Sequence, residues 1–566
     1  MTSCHWQLKP TAPTEHISGQ GEFPPLIRQL LYNRGVTTPA QASVFLAADS
    51  YICHDPYLLP DLDKALLRIY QAILKGENIA VYGDFDTDGI SATAVLVQGL
   101  SALGAHAEPY IPHRLLEGHG LSSEALSKLS KQGVSLVITT DCGITDIEQV
   151  KNRPRGMDII ITDHHLPGAI LPPALAVIDP HREDSAYPFR ELAGVGVAYK
   201  LLSALYEGVG RTTGLTNYLD LVALGTVADM MPLLDENRYM VASGIGQLRN
   251  CRRPGFNELV AQAGLSLDKL EAEHISWTIA PRLNAAGRME HAISSYNLIM
   301  TDSLDEARAL AQWLSEKNIE RQKLTTTAMV LAREQALTKG VDPLIIVRHE
   351  DYPAGLLGLV ANKLMDEFHR PSVVIQTGEE VSRGSLRSVQ GFNVNEALGR
   401  CAELLLHYGG HARAAGFTLA TKNLPSFEKM LTENASQVLA GQDMRPQIDI
   451  DAMVSFRELG GTAIPAMQQM APFGQGNPVP TFLSCAVNVK DCRPVGATGQ
   501  HLKMKLGQDD SLWEAIAFGL GDRSLENGAP LDIVYTIEQD DWNGTNRLRM
   551  NIKDFALAGT NLPTNG

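Results

Sequence analysis

Cysteine is scarce in this chain. Seven residues out of 566 are cysteine, at positions 4, 53, 142, 251, 401, 485 and 492, and no two form a C-x-x-C pair. That scatter excludes a disulfide framework or a zinc site of that type and fits reduced thiols in a cytosol. No apolar run is long enough to span a bilayer. The opening Met-Thr-Ser-Cys-His-Trp-Gln-Leu-Lys-Pro lacks the basic and apolar regions of a secretory signal. A cytoplasmic protein with no membrane partner is therefore expected. Internal repeats and low-complexity tracts are absent too. Basic charge is in deficit: 48 Lys and Arg stand against 64 Asp and Glu, for a net charge of −16. By itself that balance argues for an enzyme of small molecules rather than a nucleic-acid binder. Local charge decides binding, however. A phosphate backbone needs a basic groove, not a basic protein, and an acid excess shrinks where it holds cations. For a DNA-binding protein the balance predicts modest, salt-sensitive affinity.

What the chain does have is acid at the ends of apolar runs. Asp84, Asp86 and Asp88 alternate within Ile79-Ala-Val-Tyr-Gly-Asp-Phe-Asp-Thr-Asp-Gly89. The apolar start reads as a buried strand, and the following Thr and Gly read as a strand-to-helix turn. Residues i and i+2 of extended backbone share a side, so the carboxylates converge. Convergent carboxylates repel unless protons or cations neutralise them. Magnesium and manganese prefer such oxygen ligands. A solvated acidic turn is the bland alternative. An EF-hand fails, because Val95 stands where that loop requires a bidentate Glu.

Three further runs repeat the pattern. Val134–Thr140 ends in Asp141-Cys142-Gly143, and Met157–Thr162 ends in Asp163-His164-His165. A helix pattern over Tyr218–Ala228 ends in Asp229. Singly, each acid reads as a cap or a satisfied polar residue. Together they sit where open α/β sheets bind ligands and point to a two-metal hydrolytic centre. Cys142 reads as a small buried residue, not a nucleophile.

A chain of 566 residues exceeds what one core serves. Residues 1–20 are polar and irregular, and residues 24–75 suggest short helices, with 56–60 a loop; 1–75 is taken as an N-terminal helical segment. Strand and helix patterns alternate over 76–236, as in a parallel sheet covered on both faces. Residues 237–340 read as helical, with Leu304–Leu337 a long connector. Alternation returns over 341–442, with strands at Leu344–Val347 and Ser372–Gln376, and Asp443–Pro446 is a polar joint. Residues 446–556 carry strands at Phe482–Val489, His501–Leu506, Trp513–Phe518, Leu531–Glu538 and Arg547–Ile552, which suggest a small barrel. Asp541-Trp-Asn-Gly-Thr reads as a hairpin turn, with Trp542 in it. The tail after Ala558 reads as disordered.

The motifs Asp84-Phe-Asp-Thr-Asp-Gly89, Asp141-Cys-Gly143, Asp163-His-His165 and Gly225-Thr-Val-Ala-Asp229 resemble those of the DHH phosphoesterase superfamily, and within it the RecJ exonuclease family. The likeness continues through Ala280-Pro-Arg-Leu-Asn-Ala-Ala-Gly-Arg-Met289, Gly384-Ser-Leu-Arg-Ser388, Gly409-Gly-His-Ala-Arg-Ala-Ala-Gly416 and Pro472-Phe-Gly-Gln-Gly-Asn-Pro478. It spans about Leu26 to Phe555. The resemblance implies an α/β fold: a parallel-sheet DHH catalytic domain, a helical connector, a second, DHH-associated α/β domain and a C-terminal OB-like β-barrel. It implies two divalent cations, Mn2+ or Mg2+, held by Asp84, Asp86, Asp88, Asp141, His164 and Asp229. Asp141 would bridge them, with Asp86 on one and Asp88, His164 and Asp229 on the other. Asp141, His164, His165 and Asp229 would form the catalytic set, with His165 beside the scissile phosphate. Many relatives outside the RecJ branch carry a metal-binding His where Tyr82 stands here, and Asp84 is expected to take its place. Asp163 is expected to cap a turn or orient a His ring rather than bind metal.

The second half must explain substrate choice. Arg282 and Arg288 flank Asn284-Ala-Ala-Gly287, and Arg forks onto phosphate. Ser385, Arg387, Ser388, Gly410 and His411 sit in glycine-rich turns suited to a phosphate nest. Arg114, within Ile111-Pro-His-Arg-Leu-Leu-Glu-Gly-His-Gly120, is a further phosphate contact. A surface loop and solvated arginines are the bland readings of these sites. By resemblance the expected activity is digestion of single-stranded DNA from a free 5′ end to 5′-mononucleotides, in DNA repair and recombination. Single-strand-binding protein and helicases are the implied partners. Two alternatives stand beside it: a phosphodiesterase for short oligonucleotides or cyclic dinucleotides, and a non-catalytic single-strand-binding protein.

Overall fold

The strand Asn78–Gly83 divides its side chains between two cores, Ile79 and Val81 on one face and Ala80 and Tyr82 on the other. Val134–Thr140 does the same with Leu136 and Ile138 against Val137, and Asp158–Thr162 with Ile160 against Ile159 and Ile161. Apolar residues on both faces require a helical layer on each side. Helices Thr87–Ala102 and Gly194–Gly208 cover one face, and Ser123–Lys131 and Ile147–Lys151 the other. The sheet has five parallel strands in the order His106–Tyr110, Asn78–Gly83, Val134–Thr140, Asp158–Thr162, Ala176–Ile178. This computed structural model describes every residue except 1–3, 14–22, 49–51, 115, 212, 340–342, 524, 526–527, 541–546, 562 and 566.

Register is what matters for function. Gly83 lies opposite Thr140, Thr140 opposite Thr162, and Thr162 opposite Ile178. The next residue of each strand is therefore level with its neighbours: Asp84, Asp141, Asp163 and Asp179. Their amides continue the ladder, Asp84 to Thr140, Asp141 to Thr162 and Asp163 to Ile178, at 3.1–3.2 Å.

The connector helix, Leu304–Lys339, has 36 residues and is about 54 Å long. Ala311 and Leu314 belong to the first core, whereas Ala328, Ala332 and Ala336 belong to the second α/β domain. That domain's sheet runs Leu405–Gly410, Ala414–Ala420, Val381–Arg387, Ser372–Gln376, Ile345–His349. The glycine motifs expected there as turns are in large part strand: Gly384–Arg387 lies within Val381–Arg387, and Gly409 and Gly410 end Leu405–Gly410. Small residues permit close strand approach, a signal that turn chemistry imitates.

The C-terminal barrel closes because Phe482–Val495 pairs with both His501–Gln508 and Pro530–Asp540. Ser511–Ala517 and Arg547–Leu557 complete it, and most strands run longer than the periodicity predicts. The hairpin turn at 541–545, with Trp542, lies outside the described residues.

Both chain ends correct the sequence reading. His5–Leu8, expected as irregular, pairs in parallel with Gln447–Ile450 and buries Trp6, whose indole donates to Asp554 at 2.9 Å. Thr564–Asn565, in the tail expected as disordered, pairs with Gln7 and Leu8. Nor is 1–75 a single unit. Helices Pro25–Tyr32 and Pro39–Ala47 bury Ile27, Leu30, Leu31 and Phe45 in the barrel core, while Leu62–Lys75 packs on the parallel-sheet core. Helices this short are stable only through the apolar face they bury, so each follows its partner rather than its sequence neighbour. Residues 56–58 of the expected loop form a 3-10 turn.

Candidate metal centre

Among the described residues, three groups of donors gather around the aligned strand ends: Asp84, Asp86 and Asp141; Asp88, His164 and Asp229; and Asp141, His164 and His165. Within each, the ligand atoms lie within 4.8 Å of one another. Asp141 and His164 belong to two groups each, and His164 Nε2 lies 3.0 Å from Asp141 Oδ1, 3.6 Å from Asp229 Oδ2 and 3.9 Å from Asp88 Oδ2. The six expected ligands thus converge, and His165 joins them. Tyr82 turns away, donating its hydroxyl to the Gly120 carbonyl at 3.0 Å, and Asp84 stands in the cluster.

Backbone and neighbouring side chains hold the donors in place. Asp86 caps the helix Thr87–Ala102, its Oδ1 accepting from the Asp88 and Gly89 amides at 2.9 and 3.1 Å. Asp88 accepts from the Gly194 and Val195 amides at 2.7 and 2.9 Å, at the positive end of the helix Gly194–Gly208. Asp141 adopts a φ of +62°, a costly conformation for a non-glycine residue. Its carboxylate would be displaced by any Cβ at Gly194, which would sit 2.5 Å from Asp141 Cβ. Asp163 is fully occupied: Oδ1 accepts from His165 Nδ1 at 2.8 Å and from the His164 and His165 amides, and Oδ2 accepts from the Ile144 amide. It orients the ring of His165 and leaves that ring's Nε2 for a ligand.

The donor set suits a hard dication. Burial, then the neighbouring carboxylates, push Asp86, Asp141 and Asp229 upward and Asp88 to about 7. Burial and the adjacent His165 hold His164 down to about 3, a neutral imidazole with a lone pair to offer. Burial would raise Asp163, but the His165 hydrogen bond and charge carry it well below the usual range. Carboxylate oxygens, one neutral imidazole and charge frustration relieved only by protons or cations describe a Mn2+ or Mg2+ site.

Across from the acids lies an arginine cluster drawn from four segments. Burial and the charges of Arg114 and Arg321 hold Arg288 down to about 9, with Arg387 adding to the effect. Arg114 packs over the Phe85 ring at 4.7 Å, between this cluster and Asp84 and Asp86. Arg387 donates to Ser385 Oγ at 3.1 Å. Among the described residues, the buried Nε atoms of Arg282, Arg288 and Arg321 have no hydrogen-bond partner. Crowded guanidinium groups with spare donors call for an anion. His411 stacks on His165, ring centroids 5.7 Å apart and planes 13° apart, so the second α/β domain closes over the metal centre. Gly410 enables that: at φ +142° its Cβ would stand 2.4 Å from the Ala414 carbonyl.

Two candidates have other roles. Asn284 Oδ1 accepts from the Thr87 amide and hydroxyl, both at 2.8 Å, and so braces the residue between Asp86 and Asp88. Ser388, just past the end of the strand Val381–Arg387, is buried and donates to the Phe392 carbonyl. Sequence reasoning missed several participants. Arg321 lies on the connector helix with no motif around it. His119 Nδ1 meets Asp84 Oδ1 at 2.9 Å, and its only signal was membership of the Ile111–Gly120 motif. Gly194 opens a helix pattern, a weak cue. Asp179 ends a strand of three residues, too short to recognise.

Three family models match this chain: the DHH family, N-terminal domain over residues 78–226, the DHHA1 domain over 341–437, and the RecJ OB domain over 450–554. The single-stranded-DNA-specific exonuclease RecJ of Bacillus subtilis is 36% identical over 548 residues, covering 96% of this chain and 69% of that protein. The Escherichia coli protein of the same name is 32% identical over 583 residues, covering 97% and 99%. The solved structure of RecJ from Thermus thermophilus in complex with Mn2+ superposes with a TM-score of 0.84 at 28% identity, covering 98% of this chain and 80% of that one. The Mg2+ complex of the same protein gives 0.79 at 27% identity, covering 98% and 79%.

Proposed function

From the premise that the chain belongs to the RecJ family of DHH phosphoesterases, we propose that it is a metal-dependent exonuclease specific for single-stranded DNA, acting from the 5′ end to release mononucleotides. The observation that carries this reading is the facing of two unlike surfaces: shared carboxylate and imidazole donors on the first domain, and an arginine cluster made of that domain's Arg114, the helical region's Arg288 and Arg321, and Arg387 of the second α/β domain, whose His411 stacks on His165. Asp84, Asp86 and Asp141 would hold one cation and Asp88, His164 and Asp229 a second, with Asp141 shared. Cations there supply Lewis-acid activation of water and neutralise charge on the phosphate.

The chain's own residues do the rest. Arg114, Arg288, Arg321 and Arg387 grip the terminal phosphate and so set the leading nucleotide against the acids. His165, held at Nδ1 by Asp163, presents Nε2–H to the scissile phosphate and donates to the departing oxygen. Asn284 and the Gly194 and Val195 amides keep Asp86 and Asp88 in position as charge develops. Enclosure between two α/β domains admits one extended strand by its end and excludes a duplex. The barrel extends the groove for the rest of the strand. The role in DNA repair and recombination, with single-strand-binding protein and helicases as partners, follows the family.

The test is degradation of 5′- and 3′-labelled single strands with Mn2+, Mg2+ or EDTA, with product sizing. Loss of the 5′ label as mononucleotide, only with metal, is expected. Release from the 3′ end, rapid cleavage of a closed single-stranded circle, or turnover restricted to dinucleotides would overturn it.

A further inference from the structure

Trp277 is 73% exposed, although it is the largest side chain a protein can bury. It lies in a single π-helical turn, Ile275–Ile279, whose Ile275 and Ile279 are buried while Trp277 is turned out. Single π turns recur at functional sites. One carbonyl links this turn to the helix end at Asp229. Val227 O accepts both Ser276 Oγ, at 3.4 Å, and the Met230 amide, at 3.2 Å. The residue before Trp277 and the residue after Asp229 therefore converge on the same atom. Met230 is itself 52% exposed and held at φ +60°, which turns it out of the helix end beside Asp229.

The segment 275–289 then runs along the metal centre. Ser276 touches Val227, Ala280 and Asn284 touch Thr87, Gly287 packs against the Phe85 carbonyl, and Arg288 enters the arginine cluster. From Ser276 to Arg288 is about 18 Å at helical rise. The arginines thus mark one end of the site, near Asp86, and Trp277 with Met230 the other, near Asp229. Trp277 thus stands on the side of the acids away from the arginines, where the remainder of a strand gripped at its terminal phosphate would leave.

We propose that Trp277, with Met230 beside it, is a stacking platform for one base of the strand on the far side of the scissile phosphate. This rests on the exonuclease reading above. An indole face takes any base, so the platform grips the strand without reading its sequence. It would hold the remaining strand in register while the released nucleotide departs.

The test compares the full-length wild type with Trp277→Ala and Trp277→Phe on a 5′-phosphorylated strand, and on strands carrying one abasic site at each of the first five nucleotides. Trp277→Ala should lower kcat/KM roughly 5- to 150-fold, the range for one stacked base, with most of the change in KM. Trp277→Phe should retain most of the wild-type value. One abasic position should cost the wild type a similar factor and cost Trp277→Ala nothing more. An unchanged kcat/KM for Trp277→Ala, or abasic penalties identical in both proteins at every position, would overturn the proposal. Thermal melting verifies that the variants fold. Failure of the wild type to degrade any single strand would instead sink the exonuclease reading itself.

Discussion

Asp141→Asn is the most revealing single change, because it should raise stability while abolishing activity. Asparagine tolerates the φ of +62° as aspartate does, so the backbone gains no strain. Its side chain can still meet His164 Nε2, now 3.0 Å away. What disappears is one charge among three carboxylates whose ligand atoms lie within 4.8 Å. Two unit charges at that distance repel by roughly 3.5 kcal/mol at an effective dielectric near 20. Proton uptake relieves part of this in the metal-free protein. A net gain of about 1–3 kcal/mol is left for the variant in EDTA at pH 8, a rise of a few degrees in melting temperature. With Mn2+ the order reverses. The wild type should gain about 2.7 kcal/mol at a metal concentration a hundredfold above Kd. The variant, lacking the shared anchor, should gain far less and show no turnover. The assay is thermal melting with EDTA and with graded MnCl2, beside cleavage of a labelled strand. A variant that melts below the wild type in EDTA, or keeps the full Mn2+ shift, would refute the idea of a charge-frustrated centre anchored by Asp141.

Metal-free stability should also depend on pH with a definite sign. Asp88 titrates near 7 when folded against an ordinary 3.8, so its contribution is complete below about 3.8 and lost as pH rises through 7. Melting in EDTA should therefore fall between pH 5 and pH 8, and saturating Mn2+ should remove that fall; a flat EDTA profile counts against the cluster. Truncation after Gly441 should cause aggregation, because Ile27, Leu30, Leu31 and Phe45 lose the barrel core they pack on, roughly 6–12 kcal/mol of burial. Removing residues 1–50 as well should restore a soluble protein that cleaves very short strands and binds long ones weakly; size-exclusion chromatography and strand-length series decide it. Arg321→Ala should weaken binding of a 5′-phosphorylated strand about tenfold and reduce the salt slope by about 0.7, and an unchanged slope would remove Arg321 from the phosphate grip.

The residues that converge at the candidate metal centre were legible in the chain because each sits at the end of a local pattern. Asp84, Asp86 and Asp88 alternate at the end of an apolar run, and Asp141, Asp163 and Asp229 end others. Strand and helix periodicity is a property of neighbouring residues, so it survives in the sequence. The barrel strands and the connector were legible for the same reason. The family motifs, being short and ordered, named the chemistry. Other features depended on tertiary structure. That Asp84, Asp141 and Asp163 are level is a matter of parallel register between strands tens of residues apart. The Gly194 amide reaches Asp88 across 106 residues, and Arg321 reaches Arg288 from the middle of a helix with no local mark. Asn284 carries a phosphate-binding motif's position yet spends its oxygen on Thr87, which only packing could assign. His5–Leu8 finds its strand partner at Gln447–Ile450, and two N-terminal helices find their core in the barrel. Local periodicity dictates which elements form; which apolar faces meet, and therefore which charges are brought together and buried, is settled by the free energy of the whole packed chain.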